Sequence, residues 1–281
     1  MLISLCVMGI AVGLASQAAV VQLRFFRGAG EIIAMRGQAG AVGAIVAATL
    51  WGVAPTAGDI LFASDSALEV RTAVGSAVVC GGSPGRVTIP ASTPRGHALS
   101  AFHATPDAGD VADVYVQDST GAGWIRATVA AAAIAGGACT GFPQTASTLI
   151  LALREPLLLP AGSVLHLSRP IRLSHYRASD GQWYFGARDW NGSSQRLNTI
   201  QPVAGPLEPR SADAAQSGLV FRYLDASGND LGPSPNVDRV VAITVLTRAR
   251  TKRPVSVAGL GNRGLRASDS SSTTIALRNA R

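Results

Sequence analysis

Gly81-Gly82-Ser83-Pro84-Gly85 has the G-x-S-x-G spacing of a serine nucleophile held on a sharp turn. That chemistry needs a strand before the turn, a helix after it, and a histidine base backed by a carboxylate. Here the turn runs into Arg86-Val87-Thr88-Ile89-Pro90, a second strand pattern. His97 and His103 lie nearby, yet no acidic partner is placed with them. The motif predicts a hairpin turn, not a hydrolase. Gly259-Leu260-Gly261-Asn262-Arg263-Gly264 has the G-x-G-x-x-G spacing of a dinucleotide loop. Such a loop opens a helix and precedes an acidic residue about 20 positions on, whereas a short serine-rich tail comes after it here. The match is accidental.

Asp225, Asn229 and Asp230 offer hard oxygen ligands around Gly228, of the kind calcium takes. Their spacing does not fit an EF-hand loop, and a tight turn whose side chains satisfy backbone donors is the expected arrangement. The four histidines (97, 103, 166 and 175) show no metal spacing. His166 and His175 alternate within strand patterns and are expected to face solvent or a neighbour. Trp183, Tyr184, Phe185 and Trp190 form the densest aromatic group and read as core, with a partner-binding patch as the alternative. Cys80 and Cys139 both fall in strand-rich sequence, where they can pair as a disulfide or remain two buried thiols. The disulfide is the expectation. None of these groups builds a catalytic constellation, so the chain is expected not to be an enzyme and to need no cofactor or metal.

Composition narrows the class further. The chain has 281 residues, 47% hydrophobic and only 15% charged, below the roughly 25% ionisable share of ordinary soluble domains. Three cysteines are too few for a disulfide scaffold. The net charge of +7 rests almost wholly on arginine, with Lys252 the single lysine. Arg248, Arg250, Lys252 and Arg253 cluster without an aromatic platform. They read as a solvated strand end, and no nucleic-acid partner is expected.

Two long segments must position whatever the chain does. From Met1 to Leu23 there is no charge, and as a helix this run spans about 34 Å, enough to cross a bilayer core. It lacks the basic start and short apolar core of a cleaved signal peptide. Helical spacing continues with Ile32, Met35, Ala39, Val42, Val46 and Leu50 on one stripe, until Gly52 and Pro55 end it. Glycines along this half weaken an isolated helix by up to about 1 kcal/mol each relative to alanine, so the outer half must pack on something. Gly9 and Gly13 form a G-x-x-x-G pair that permits close helix approach.

Beyond Pro55 the period changes to two. Strands are predicted at 60–63, 68–74, 77–80, 86–89, 111–116, 124–129, 149–153, 164–167, 171–176, 183–187, 219–224, 237–247 and 273–277. GGSPG, DSTGAG, SDG and DASGND mark turns between them. The alanine-rich segment 127–135 is a candidate short helix, 91–110 and 201–217 read as loops, and 256–272 as a flexible loop. The expected fold class is α+β, with an N-terminal helix segment 1–54 and a mainly antiparallel β-body 55–281.

The opening MLISLCVMGIAVGL, its amphipathic extension and a β-rich body together resemble the type IV prepilins and pseudopilins. In that family a basic leader ends in Gly, and the mature chain starts in the Phe-Thr-Leu-Val-Glu manner. Met1-Leu2-Ile3-Ser4-Leu5 resembles the residues after that Glu, so the sequence is expected to begin just after the processing motif. No residue here is assigned to leader cleavage or N-terminal methylation. The body run SHYRASDGQWYFGARDWNG, and then Phe221, Tyr223, Asp225 and Gly228 before segment 237–247, resembles the larger minor subunits, pilus protein W and the J component of type II secretion. Some pseudopilins of this kind carry calcium.

The resemblance implies a non-catalytic structural subunit of a type IV pilus or type II secretion pseudopilus, at or near the filament tip. Its implied partners are other pilin or pseudopilin subunits, the inner membrane and, if an upstream leader exists, prepilin peptidase. The implied location is the bacterial inner membrane in a single pass, with the body in the periplasm or on the extracellular filament. The stripe Ile32, Met35, Val42, Val46 and Leu50 is then the assembly face, packing on equivalent helices, and Val42→Asp or Val46→Asp should abolish assembly. Arg24 and Arg27 just after the anchor would by themselves hold the body in the cytoplasm, while a Cys80–Cys139 disulfide argues for an oxidising compartment. A basic leader upstream reconciles the two. The competing class is a single-span anchored binding or enzymatic domain, which needs no apolar stripe as far as Leu50.

Overall fold

In a computed structural model of the chain, the uncharged run and the stripe behind it form one helix, α1 (Leu2–Leu50). Residues 2–91, 100–118, 121–136, 139, 147–255 and 265–279 are described. The helix stops just short of Pro55, and a 3-10 turn (Pro55–Ala57) closed by Gly58 in the left-handed region redirects the chain into the body.

The body strands are β1 (Ile60–Ala63), β2 (Ala67–Val78), β3 (Gly81–Ser83), β4 (Arg86–Pro90), β5 (Ser100–Phe102), β6 (Val111–Asp118), β7 (Gly121–Gly136) and β8 (Ser147–Leu153). They continue as β9 (Val164–Arg177), β10 (Trp183–Asn191), β11 (Arg196–Leu197), β12 (Gln201–Leu207), β13 (Leu219–Leu224), β14 (Ala242–Arg250) and β15 (Ser268–Ala276). Every strand pairing among the described residues is antiparallel. The α+β class and the long helix preceding a β-body therefore hold.

Two long strands organise this sheet. β2 and β9 pair from Ala67↔Ser174 to Val78↔Val164. The other edge of β9 is divided: its C-terminal half pairs with β10 and its N-terminal half with β6. From β10 the sheet continues through β12 to β14, which lies between β13 and β15. From β6 it continues through β7, β8 and β4 to β3. Two hydrophobic cores result. One lies between α1 and the β2, β9, β10 and β12–β14 region, and holds Phe185, Phe221 and Tyr223. The other lies between β4, β6, β7, β8 and the remaining halves of β2 and β9.

Several local readings give way to long-range pairing. Segment 127–135 is part of β7, not a helix, because Ala127 and Thr128 pair with β6 and the chain from Val129 onward pairs with β8, which overrides alanine's helix preference. Segment 201–217 is not all loop, since β12 occupies its start. The segment 237–247 divides into a 3-10 turn (Val237–Arg239), capped by the Asn236 side chain, and then β14. The expected flexible loop 256–272 overlaps β15 from Ser268 onward. That strand is mostly serine and threonine and lies along β14 from Arg250↔Ser268 to Ala242↔Ala276. With one edge paired and one face under the helix, it needs no apolar alternation of its own.

Candidate functional site: a docked helix, a disulfide-closed lobe and two clefts

The predicted stripe on α1 is buried, and its cover is the chain's own sheet. Met35, Ala39, Val42, Val46 and Leu50 belong to the first core, with Ile32 packed at its edge. The helix lies across β12, β14 and β15. The expectation that Ile32, Met35, Val42, Val46 and Leu50 form a face for other subunits' helices is thereby corrected. An amphipathic stripe states that a face must be covered, and here the nearest apolar surface is intramolecular. Polar contacts align the two parts: Gln38 Oε1 accepts the Gly205 N–H at 3.0 Å, and Arg36 Nε donates to Asp269 at 2.8 Å. Arg36 holds the Asp269 carboxyl below the usual range.

The other faces of α1 are open. Met8, Ile10, Val12, Leu14, Val20, Val21 and Leu23 are exposed, as is Ile33 farther along at 70%. A side chain at Gly9, Gly13, Gly30, Gly37 or Gly40 would meet nothing within 4 Å. By length and composition α1 is a candidate membrane span, and among the described residues it is the one helix of that kind.

Cys80 and Cys139 are joined in a disulfide, with Cα atoms 5.3 Å apart. Both are buried. The bond ties the end of β2 to the segment between β7 and β8, and so closes the lobe built on the second core.

The chemical motifs resolve as local structure. Ser83 ends β3, and Pro84-Gly85 turns the chain into β4, with Gly85 at φ +73. His97 and the 259–264 glycine motif lie outside the described residues. Asp225 Oδ1 accepts the Ser227 and Asn229 N–H groups, each at 2.9 Å, and Asp230 Oδ1 accepts the Gly232 N–H. These carboxylates are engaged by their own turn. His166 is exposed and stacks on Trp124, whereas His175 is buried against Trp183. Desolvation holds the His175 imidazole down at about 4. In the aromatic group, Phe185 is core, the Tyr184 hydroxyl donates to Asp180, and Trp190 Nε1 donates to the Ala108 carbonyl. No group of metal-ligating side chains is found among the described residues.

Comparison with known proteins returns no match: no family profile, curated sequence or solved structure aligns with this chain. Its function must therefore be read from geometry.

Sequence reasoning missed two clefts and one ion pair. Asp110, fully buried, accepts from Arg169 Nε at 2.6 Å and Nη2 at 2.8 Å, and Arg169 also donates to the Thr105 carbonyl. This bidentate pair fixes the 105–110 turn against β9. A cleft of about 780 Å³ opens between the 52–59 linker and strands β2, β6, β7 and β9. Its wall carries Asp59, Arg71, Asp113 and Arg126. Arg126 forks onto Asp113 at 2.7 and 3.2 Å and donates to the Ala57 carbonyl, and the Asp113 bond raises its basicity. Burial raises the Asp59 carboxyl and lowers the Arg71 guanidinium. The second cleft, about 770 Å³, lies at the opposite end of the body against residues 24–38 of α1. Neither cleft is visible in any local motif, since each is assembled from segments far apart in the chain.

Proposed function

We propose that this chain is a membrane-anchored structural subunit of a pilin-type filament, a minor pilin or pseudopilin of a type IV pilus or type II secretion system. One observation carries the reading: a single 49-residue helix is apolar and exposed from Met8 to Leu23 and built into the body's core from Met35 to Leu50. A plain anchor would end at the membrane surface. Here one unbroken helix runs from the apolar segment into the body's core, so the anchor is part of the body's own packing. The body faces the periplasm or the exterior, where its disulfide persists.

Assembly then uses the faces of α1 that the sheet leaves open. In the membrane the apolar half contacts lipid, and in the filament it exchanges lipid for neighbouring helices by packing of small and apolar side chains. Gly30, Gly37 and Gly40, with Ile33, offer close approach outside the bilayer. The second lobe adds bulk beyond the helix-docked core, which favours the filament end over a close-packed shaft. No catalytic step is involved.

The test is Ile33→Asp, which places a charge on the open face outside the apolar span. The expected result is loss of co-purification with other filament subunits, while membrane retention and the Cys80–Cys139 bond remain. Normal assembly by this variant would sink the reading. It would favour the second one, a single-span anchored binding domain working through the Asp59–Arg126 cleft.

A further inference from the structure

The cleft at the foot of the body is basic on both of its walls. Arg24 and Arg27 come from α1, and Arg250, Lys252 and Arg253 come from the end of β14 and the turn after it. Among the described residues Glu31 is the one carboxylate lining it, and one of its oxygens accepts the Arg253 N–H. Two more carboxylates stand beside the cleft cations: Glu208 lies 3.9 Å from Arg250, and Asp180, within electrostatic reach of Lys252, takes hydrogen bonds from Tyr184 and Gln182. Five cations therefore face three carboxylates, Glu31, Glu208 and Asp180, and the cleft keeps a positive excess. An anion in the cleft offsets that excess.

The position of the cleft selects the anion. Uncharged sequence ends at Leu23, so Arg24 and Arg27 lie within about 6 Å of the end of the apolar run along the helix. This is the depth of the headgroup layer, which is about 5–7 Å thick on each side of the hydrocarbon core. Phe25 and Phe26 are exposed at the same level and suit the boundary with acyl chains. Met35, Pro206 and Val255 give the cleft an apolar wall. The geometry points to a binding site for the phosphate of an anionic membrane phospholipid, with the body's foot clamping the headgroup against α1. A basic pocket beside a membrane helix is the arrangement that acidic headgroups occupy. This inference rests on the reading of residues 1–23 as a membrane anchor.

The test uses the full chain reconstituted in phosphatidylcholine vesicles that contain trace spin-labelled phosphatidylglycerol or spin-labelled phosphatidylcholine. The wild type should immobilise the anionic lipid preferentially. Lys252→Gln with Arg253→Gln, and separately Arg27→Gln, should weaken that preference by about fivefold for each charge removed. Arg154→Gln with Arg196→Gln, a charge-matched change on exposed positions elsewhere, should leave it intact. Millimolar inorganic phosphate should not displace the lipid. Displacement would make free phosphate the ligand and overturn the proposal, as would equal immobilisation of both lipids or an unchanged preference in the Lys252/Arg253 variant. Carbonate washing separates the two levels. Extraction of the protein defeats the anchor reading and this inference with it, while retention without lipid preference defeats this inference alone.

Discussion

Gly43 of α1 lies directly over Thr273 of β15. A β-carbon on Gly43 would stand 3.1 Å from Thr273 Cβ and closer still to its hydroxyl. The helix can therefore settle on the edge strand only because position 43 has no side chain. Gly43→Ala should destabilise the docked helix by about 1–3 kcal/mol through overpacking. Thr273→Ala in the same chain should recover part of the loss, as measured by denaturant unfolding of the full protein in detergent. An additive double variant would show that the two residues do not meet.

Val42 and Val46 have no solvent exposure. Val42→Ala should cost about 2 kcal/mol by leaving a cavity between helix and sheet. Val46→Asp, which buries an unpaired carboxylate, should unfold the helix-docked core and appear as rapid proteolysis of the body. A Val46→Asp chain that kept a folded, protease-resistant body but failed only in assembly would restore the stripe as a contact between subunits.

Asp110 is fully buried while Arg169 keeps 20% of its side chain exposed, so removing Arg169 strands a buried carboxylate and removing Asp110 leaves a partly solvated guanidinium. Arg169→Met should cost about 3–5 kcal/mol, and Asp110→Asn less. The double replacement should cost less than the sum, and a double-mutant cycle reads the coupling directly.

The His175 imidazole is held down to about 4 by burial, against an ordinary value of 6.5. The unfolded chain therefore binds the extra proton between those limits. Stability from this group is full above about pH 6.5 and is lost as pH falls toward 4, to a total of about 3 kcal/mol. Denaturant midpoints at pH 7 and pH 4.5 should show a loss in the wild type that is markedly smaller in His175→Leu. Equal losses in both would assign the acid sensitivity to other groups.

The Cys80–Cys139 bond spans 59 residues, and opening it should cost about 2–4 kcal/mol. The second core carries that cost, because both cysteines lie in its lobe. Under reduction, hydrogen exchange should rise first in β4, β7 and β8, with β14 and the docked half of α1 exchanging only on global unfolding. Two free thiols in protein isolated without reductant would contradict the bond.

The local pattern was informative where the physics is local. An uncharged run long enough to span a bilayer, the stripe at steps of three and four, and Pro55 as its limit all depend on residues within a few turns of one another. So do β1 and β13, whose alternation and flanking turns mark their ends, and the GGSPG hairpin, where a strand comes directly after the turn. The cysteine pair was legible because both residues fell within strand-rich sequence. The alanine-rich end of β7 and the first half of β15, Ser268–Ser272, escape the local pattern for the complementary reason. A run of alanines, or of serines and threonines, has no apolar face to announce it, and becomes a strand only when β8 or β14 supplies an edge.

The sequence by itself determined that residues from Ile32 to Leu50 must bury one face, that the chain after Pro55 forms antiparallel strands, and that Arg24 is the first charge after the apolar run. Only the tertiary structure decided what covers the stripe. It also joined Asp110 to Arg169, and brought Arg250, Lys252 and Arg253 down beside Arg24 and Arg27. Periodicity records which side of an element avoids water, a property of neighbouring residues. The identity of the covering surface, and the charges gathered at one point, depend on strand register and on contacts between segments far apart in the chain, which no local pattern encodes.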